Sequence, residues 1–520
     1  MKKNSTYIIL VSLIVALGGF LMGFDASVIS GVVKFIEPEF ELSKIQLGWA
    51  VGCLTLSATI AMAIAGPLSD KYGRKKLLLW AAILYFISAI ASALSFSFVM
   101  LVAARMIGGF GVGASLIIAP MYIAEISPAK LRGRMVSINQ LNIVLGITVA
   151  FFTNYLILKF SQSETNWAEQ LGFTEHTWRW MLGLEALPAI LYFFSLFVVP
   201  RSPRWLVMHN RSEEARPILE KANEPGKCEE VLLSIQESIQ KDKNREKASF
   251  SELFKPALKL VLLIGVIIAI VQQITGINSV FFYAPMIFEQ TGIGTDSAFS
   301  QAVLVGLTNL VFTVLAILFI DKLGRKPLLA FGLSGITITM LLLAWGFNQA
   351  TYTLTDSGIE KLSHVENYQN LQQIKDITYE GDLAFKAAIA EVLSEEAIVT
   401  HESVIIKEAI TMNTLLILIG IIGFVASFAI SLGPVMWVLF SELFPNRIRG
   451  IAISFAGFIN SGVSFGVQLV FPWELANLGS AATFLLYGLF ALAGLILLMM
   501  LLPETKGKTL EELEVILSKK

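Results

Sequence analysis

A carboxylate lies inside the first apolar stretch of the sequence. Residues 7–24 read YIILVSLIVALGGFLMGF, and Asp25 follows directly in the segment GFDASVISG. A charged side chain in a hydrocarbon layer costs about 3 kcal/mol or more. We therefore expect Asp25 to have a partner and a task. Gain and loss of a proton is the chemistry that a buried carboxyl group supports.

Arg105 is the predicted partner of Asp25. It lies in the fourth apolar stretch, within VAARMIGGFGVG. At 1.5 Å per helical residue, the two side chains lie about 12 Å and about 9 Å from the same membrane face. Matching depth predicts an ion pair, which makes buried charges tolerable. We favour a proton-coupling pair over a static bridge; Glu185 is the other charged residue well inside the first six stretches.

Six amides and one indole lie within further apolar stretches. They are Gln140, Gln272, Gln273, Asn278, Asn309, Asn460 and Trp437. An amide offers a donor and an acceptor, which suits the hydroxyls of a neutral polyol, and an indole suits the apolar face of a sugar ring. A single amide is as often a helix–helix contact. Gly276 and Pro285 interrupt the seventh stretch, and irregular backbone at membrane depth lines a cavity.

The elements that position these residues are membrane-spanning helices. The 520 residues are 55% hydrophobic and 15% charged, against roughly 25% charged in soluble domains. Twelve apolar blocks are long enough to span a membrane. They are 7–33, 47–69, 77–98, 99–124, 135–158, 179–199, 257–289, 298–320, 327–347, 412–440, 450–472 and 480–502. The first is too long for a cleaved signal peptide. The sequence predicts an all-α membrane protein with 12 transmembrane helices.

Charge in the loops predicts the orientation. Loops 70–76, 127–134, 321–327 and 441–449 carry Lys and Arg, which places them and both termini on the cytoplasmic side of the plasma (inner) membrane. Residues 348–411 then lie outside, with eleven Asp and Glu against four Lys. We expect this insertion to be a small helical external subdomain.

The chain repeats itself. DKYGRK at 70–75 recurs as DKLGRK at 321–326, and EISPAKLRG at 125–133 recurs as ELFPNRIRG at 442–450. The repeat predicts two pseudo-symmetric six-helix halves related by an axis along the membrane normal. The predicted parts are the halves 1–199 and 257–502, the cytoplasmic linker helices 200–256, the insertion 348–411 and the cytoplasmic tail 503–520.

Acids and bases in the repeated loops predict a cytoplasmic gate. The residues are Asp70, Arg74, Glu125, Arg132, Asp321, Arg325, Glu442 and Arg449. Ion pairs shared between the halves would hold the cytoplasmic side closed and break when it opens. Ordinary positive-inside topology is the alternative, but it explains only the Lys and Arg.

Several classes of function are disfavoured. The net charge of −1 suggests no nucleic acid partner. No metal-ligand spacing is visible and no nucleophile–base set lies in the spans, which disfavours an enzyme. No cofactor is expected. Cys53 and Cys228 lie in different environments, so no disulfide is expected. We expect a monomer in the lipid bilayer.

The sequence resembles the sugar porter family of the major facilitator superfamily over nearly its whole length. The residues that carry the resemblance are GFDASVISG, the two DK-x-GRK loops, MYIAEISPAKLRGR, QQITGIN, GPVMWVLFSELFP and PETKG. The resemblance implies alternating access, with a sugar bound between the halves by the six amides and Trp437. Asp25 with Arg105 occupies the proton-coupling pair of the family's bacterial xylose–proton symporters, whereas facilitative glucose carriers have Asn at the Asp25 position.

Two residues depart from the family pattern. Phe282 replaces the first of two tyrosines that often follow QQ-x-x-GIN, which removes a hydroxyl contact. Arg201 replaces the acid of the usual PESPR segment, so the cytoplasmic gate is braced differently in that half.

The leading hypothesis is a symporter that imports a proton with a pentose or hexose, such as xylose or glucose. The closest rival is an uncoupled sugar uniporter. A transporter-like sugar sensor is a further alternative, but the linker of 57 residues and the tail of 18 residues are short for a signalling domain.

Overall fold

The computed structural model describes residues 2–128, 131–163, 165–224, 226–244, 249–445 and 447–504. The predicted cytoplasmic tail lies outside the described residues from position 505 onward.

Five long helices begin the chain, and shorter helices follow them. They are α1 (Lys2–Glu39), α2 (Lys44–Tyr72), α3 (Arg74–Ala93), α4 (Phe98–Ile126), α5 (Arg132–Ser161), α6 (Asn166–Gln170), α7 (Thr177–Gly183) and α8 (Ala186–Ser195). The first five predicted blocks fall on α1 to α5. Ser97 begins α4, because its side chain accepts a hydrogen bond from the Met100 N–H.

The sixth predicted block, 179–199, is divided between α7 and α8. Pro188 has no N–H to donate to the carbonyl oxygen of Leu184, and Leu184 and Glu185 form the turn between the helices. Eleven helices among the described residues are therefore long and apolar enough to span a membrane. The sixth block is present, but it is not one continuous helix.

The predicted linker and the start of the second half are also helical. The helices are α9 (Pro203–Met208), α10 (Ser212–Ala222), α11 (Cys228–Asn244), α12 (Lys259–Ile274), α13 (Ile277–Glu289), α14 (Thr295–Leu323) and α15 (Arg325–Asn348). Two short 3-10 helices, Phe250–Phe254 and Pro256–Leu258, precede α12. Together α12 and α13 make one candidate span, Lys259–Glu289.

The insertion contains a small sheet as well as helices. Its elements are β1 (Thr351–Thr353), α16 (Asp356–Lys361), a 3-10 helix (Tyr368–Ile374), β2 (Thr378–Glu380), α17 (Asp382–Val392), α18 (Glu395–Ala409) and β3 (Ile410–Thr411). The strands form an antiparallel sheet in the order β2-β1-β3. Tyr352 and Phe385 stack at 5.1 Å in an apolar core that belongs to the insertion alone. The expectation of a purely helical subdomain was incomplete, because such short strands leave little pattern.

Four helices complete the chain. They are α19 (Thr414–Ile430), α20 (Leu432–Leu443), α21 (Arg449–Asn477) and α22 (Gly479–Leu501). The side chain of Asn413 begins α19 by accepting a hydrogen bond from the Leu416 N–H. Large apolar side chains such as Leu415, Leu489 and Met500 remain exposed on these helices, as expected where lipid is the solvent.

Contacts between Cα atoms divide the chain into two compact units. The first contact unit is Met1–Ala26, Cys53–Ala150 and Arg179–Ser249. The second contact unit is Ser27–Gly52, Phe151–Trp178 and Phe250–Lys520. Four boundaries of the units fall inside α1, α2, α5 and α7, and the last falls just before the 3-10 helix Phe250–Phe254. The two predicted sequence halves stay a prediction.

Glycines allow α1 and α5 to touch backbone to backbone in the first contact unit. A Cβ atom on Gly146 would lie 2.0 Å from the carbonyl oxygen of Phe20, and one on Gly23 would lie 2.0 Å from that of Ile143. Small residues at helix crossings are the usual basis of helix association in membranes. This crossing holds the half of α1 that carries Asp25.

We predict that Gly146→Ala lowers the midpoint of thermal unfolding of the purified protein in detergent. The added methyl group must push the two helices apart, which costs about 1–3 kcal/mol. Gly133→Ala in the same helix is the matched control, because no atom lies within 4 Å of its added Cβ. An unchanged midpoint for Gly146→Ala would contradict the close crossing.

Candidate functional site

Asp25 on α1 and Arg105 on α4 meet inside the first contact unit. Each is only 1% exposed. Arg105 Nη1 lies 3.5 Å from Asp25 Oδ1, and its Nη2 donates to the backbone oxygen of Asp25 at 3.5 Å. Gly108 on α4 leaves the space, since a Cβ there would lie 2.6 Å from Asp25 Oδ2. The sequence-predicted partners are therefore together, and their role in proton coupling stays a proposal.

Glu185 is a third buried ionisable group beside this pair. It lies in the turn between α7 and α8, is almost fully buried, and interacts electrostatically with Asp25 and Arg105. Among the described residues, Asp25 Oδ2 and Glu185 Oε1 have no hydrogen-bond partner. Two carboxyl groups thus lie near one guanidinium. Only one of the two can be ionised without leaving net negative charge in the interior.

Four of the predicted amides form one hydrogen-bond network in the second contact unit. Asn460 Nδ2 donates to Gln272 Oε1 at 2.7 Å, and Gln273 Nε2 donates to Asn460 Oδ1 at 3.2 Å. Asn278 Nδ2 donates to Gln273 Oε1 at 2.9 Å. The network joins α12, α13 and α21, so the buried amides satisfy one another.

Two members of the network were missed by the sequence analysis. Ser464 Oγ accepts hydrogen bonds from Asn278 Nδ2 at 2.7 Å and from Gln468 Nε2 at 2.8 Å. Asn460, Ser464 and Gln468 are spaced four residues apart and therefore share one face of α21. That spacing was the signal that could have found them.

A break in the seventh span places the amides. Gly276, between α12 and α13, has φ +88°. Residues other than glycine rarely adopt this left-handed backbone conformation. A Cβ on it would also lie 2.4 Å from the Tyr487 ring. The helix bends again at Tyr283, before Pro285, and Tyr283 donates to the Gln468 carbonyl oxygen at 2.9 Å. Both predicted interruptions are present.

The remaining predicted sugar-contacting residues lie apart from this network. Asn309 is buried on α14. Trp437 on α20 is 47% exposed and makes an edge contact with Phe440, with 5.8 Å between ring centroids. Gln140 lies on α5 in the first contact unit, and its side chain is exposed. Phe282, the departure from the family pattern, is buried.

The repeated loops form equivalent ion pairs within each contact unit. Arg74 Nη2 lies 2.9 Å from Glu125 Oε1, and Arg325 Nη2 lies 2.9 Å from Glu442 Oε1. Asp70 adds a second carboxylate to Arg74 at 2.8 Å. The predicted brace between the halves stays a prediction. The side chain of Asp321 lies outside the described residues.

The second arginine of each loop bonds backbone rather than an acid. Arg132 Nε donates to the carbonyl oxygen of Ala124 at 3.2 Å, and Arg449 Nε donates to that of Phe444 at 3.0 Å. These carbonyls lie at or just beyond the carboxyl ends of α4 and α20, where cations and donors are stabilising. The sequence repeat is thus repeated in its hydrogen bonds.

The segments PRS and PET make contacts that the sequence analysis missed. Ser202 donates to Glu125 Oε2 and also caps α9. Glu504 accepts hydrogen bonds from the Arg325 and Lys326 N–H groups, at 3.2 and 3.1 Å, at the amino end of α15. Arg201 points instead toward Glu214, at 4.0 Å. The predicted linker therefore contacts Glu125 through Ser202.

No group of three His, Cys, Asp or Glu side chains could hold a metal ion within the part of the chain that the structure describes. Cys53 is buried and Cys228 is partly buried, and no disulfide joins them. The sites described above supply carboxyl groups, which can exchange protons, and amides, which can donate and accept hydrogen bonds.

We predict that Arg74→Met lowers the free energy of unfolding by about 3–5 kcal/mol, because it leaves Glu125 buried without its cation. The Arg74 side chain is only 5% exposed. Arg216→Met is the matched control: Arg216 pairs with Glu229, but its side chain is 41% exposed, so the loss should be about 1 kcal/mol or less. Equal shifts in unfolding midpoint for the two variants would contradict the account.

Comparison with known proteins agrees with this architecture. The family model described as "Sugar (and other) transporter" matches residues 11–364 and 391–517. The arabinose-proton symporter of Bacillus subtilis is 32% identical over 508 residues, which cover 98% of this chain and 94% of that protein. The glucose transport protein of Synechocystis sp. is 34% identical over 514 residues, which cover 98% and 97%.

A solved structure is also similar over nearly the whole chain. It is the inward open conformation of the xylose transporter XylE from E. coli, with a TM-score of 0.74 and 31% identity, covering 98% of this chain and 100% of that one. Another structure of XylE is described as that of a major facilitator superfamily protein. The chain has the major facilitator fold and is a multi-pass membrane protein that belongs to the sugar (and other) transporter family.

Proposed function

We propose that this protein imports a monosaccharide, a pentose or a hexose, together with a proton by alternating access. The observation that carries the proposal is the buried carboxyl group of Asp25 beside Arg105. Relatives named as an arabinose-proton symporter and a D-xylose-proton symporter support it. The family consists of transporters, which argues against an enzyme.

Proton coupling follows from the charge balance around Arg105. When Asp25 is ionised, Arg105 is held by it, and Glu185 adds a second carboxyl group nearby. A proton on Asp25 removes its attraction for Arg105 and lets α1 and α4 change their contact. The carboxyl group is fully buried, so the free energy of holding the proton changes with any movement that admits water.

Sugar recognition follows from the amide network. Its four amides hydrogen-bond to one another, so each of the four has a partner. A sugar hydroxyl both donates and accepts, and it can replace an amide–amide bond with two bonds of its own. We propose that Gln272, Gln273, Asn278 and Asn460 bind hydroxyls in this way. Gln140, Asn309 and Trp437 keep their proposed roles on the resemblance alone.

The paired loops fit the role of a cytoplasmic gate. Each links the start of one helix to the end of another, α3 to α4 and α15 to α20. Opening that changes the angle between these helices must stretch the pair. We propose a cytoplasmic location for these loops and for both termini, in a monomer embedded in the plasma membrane bilayer.

An uncoupled sugar uniporter is the second candidate. One relative is named only as a glucose transport protein, with no mention of a proton. In a uniporter the Asp25–Arg105 pair would be a static bridge, and sugar would not accumulate against its gradient. The two candidates differ in whether the Asp25 carboxyl group gains and loses a proton during transport.

We predict that Asp25→Asn abolishes uphill sugar accumulation in energised vesicles while sugar exchange across the membrane continues. The amide keeps a polar side chain in place but cannot exchange a proton at neutral pH. Uptake and counterflow of radiolabelled xylose, arabinose and glucose measure the two activities.

Gln272→Ala is the contrasting variant, because it removes an amide at the centre of the network. It should lose accumulation and exchange together. Full accumulation by Asp25→Asn would exclude this carboxyl group from proton coupling and assign the coupling to another acid. Absence of uphill accumulation by the unaltered protein would favour the uniporter.

A further inference from the structure

The insertion is attached to the ends of several long helices by polar groups, all of them in the second contact unit. Asp382, at the start of α17, accepts hydrogen bonds from Ser480 N at 2.9 Å and from Ser480 Oγ at 3.2 Å. Ser480 lies in the first turn of α22, where a carboxylate caps free N–H groups and opposes the helix dipole favourably. Asp382 therefore ties the insertion to α22.

A chain of charged groups makes a second attachment. Lys386 on α17 lies 2.7 Å from Glu402 on α18, and it also donates to Gln290, just after α13, at 3.3 Å. Lys44, the first residue of α2, lies 4.0 Å from Glu402 and pairs with Glu37 on α1. Helices α17 and α18 of the insertion are thus linked to the ends of α1, α2 and α13.

Lys34 on α1 makes a third attachment. Its ammonium group lies 2.6 Å from Glu289, at the end of α13, and also bonds Thr295 at the start of α14. It donates to Ser403 on the insertion at 3.4 Å. One cation therefore joins α1, the end of the seventh span, the start of the eighth span and the insertion.

A cavity of about 450 Å³ lies beneath the insertion, among these attachments. Lys44, Gln290, Lys386 and Glu402 border it on one side, and apolar residues such as Leu475 border it on another. The apolar core of the insertion is separate from the core of the spans. The insertion can therefore leave the helices by breaking polar contacts, without opening a core.

Part of the insertion lies outside the segments that the family model matches. This part is residues 365–390, which include Asp382 and Lys386. Burial alone would raise the pKa of Glu402, but Lys386 and Lys44 outweigh it and hold that pKa at about 2. The pairs are therefore intact at neutral pH and weaken only as the pH falls from 4.5 toward 2.

We propose that the insertion is an external strap that ties the outer ends of α1 and α2 to those of α13 and α22, and that it must detach before the outer side can open. The proposal rests on the transport function proposed above. It predicts that breaking the charged attachments raises the population of the outward-open state. Raised salt should act in the same direction, since the pairs are partly exposed.

The first test measures opening of the outer side by thiol labelling, and it requires no assay of sugar or proton transport. A cysteine replaces Ser464 in a background of Cys53→Ser and Cys228→Ser, and a membrane-impermeant thiol reagent is added from outside. Lys386→Met with Glu402→Gln should speed labelling at least threefold. Lys361→Met with Glu408→Gln is the matched control, because that pair, at 2.8 Å, lies wholly inside the insertion; it should leave the rate unchanged. Equal labelling rates in both double variants would overturn the strap and leave the Asp25 result untouched.

The second test fixes the strap in place. Lys34→Cys with Ser403→Cys is joined by a short cleavable bifunctional thiol reagent in proteoliposomes. Sugar counterflow should fall at least tenfold and return when the link is reduced. The same link between Lys361→Cys and Glu408→Cys should not affect counterflow. Undiminished counterflow through protein that is linked at Lys34 and Ser403 would refute the proposal.

Discussion

The burial of unlike charges is the constraint on which the rest of this structure depends. Arg105 and Asp25 are held inside the first contact unit, with Glu185 beside them. Neither charge is tolerable alone in an apolar interior, and three ionisable groups cannot all be charged without imbalance. A proton bound to one of the two carboxyl groups makes the three groups neutral overall. The close crossing of α1 and α5 fixes the part of α1 that carries Asp25.

In the second contact unit, the polar groups of the network are mostly amides and not charged side chains. These amides are neutral, so burying them costs less than burying an ion, and they hydrogen-bond to one another. The break at Gly276 turns α13 away from α12 and brings Asn278 back toward Gln273. The break in the seventh span and part of the amide network therefore depend on the same three residues.

The sequence predicted those features that follow from depth and repetition along rigid helices. Counting residues along the helices placed Asp25 and Arg105 at the same membrane depth. The four-residue spacing of Asn460 and Ser464 was also visible, and it would have predicted that Ser464 lies beside the amides. The short strands of the insertion and the contacts of Glu504 were not predictable, because they depend on which distant segments pack together. The divided sixth span was visible only as Pro188, and a proline alone does not say whether a helix bends or ends.

The central claim is that sugar movement and protonation are one event. The most direct measurement is the external pH of a lightly buffered suspension of de-energised proteoliposomes when sugar is added. The account predicts that the medium becomes more alkaline as sugar enters, and that an ionophore for protons abolishes the shift. Sugar entry at the same rate with no change in pH would contradict it.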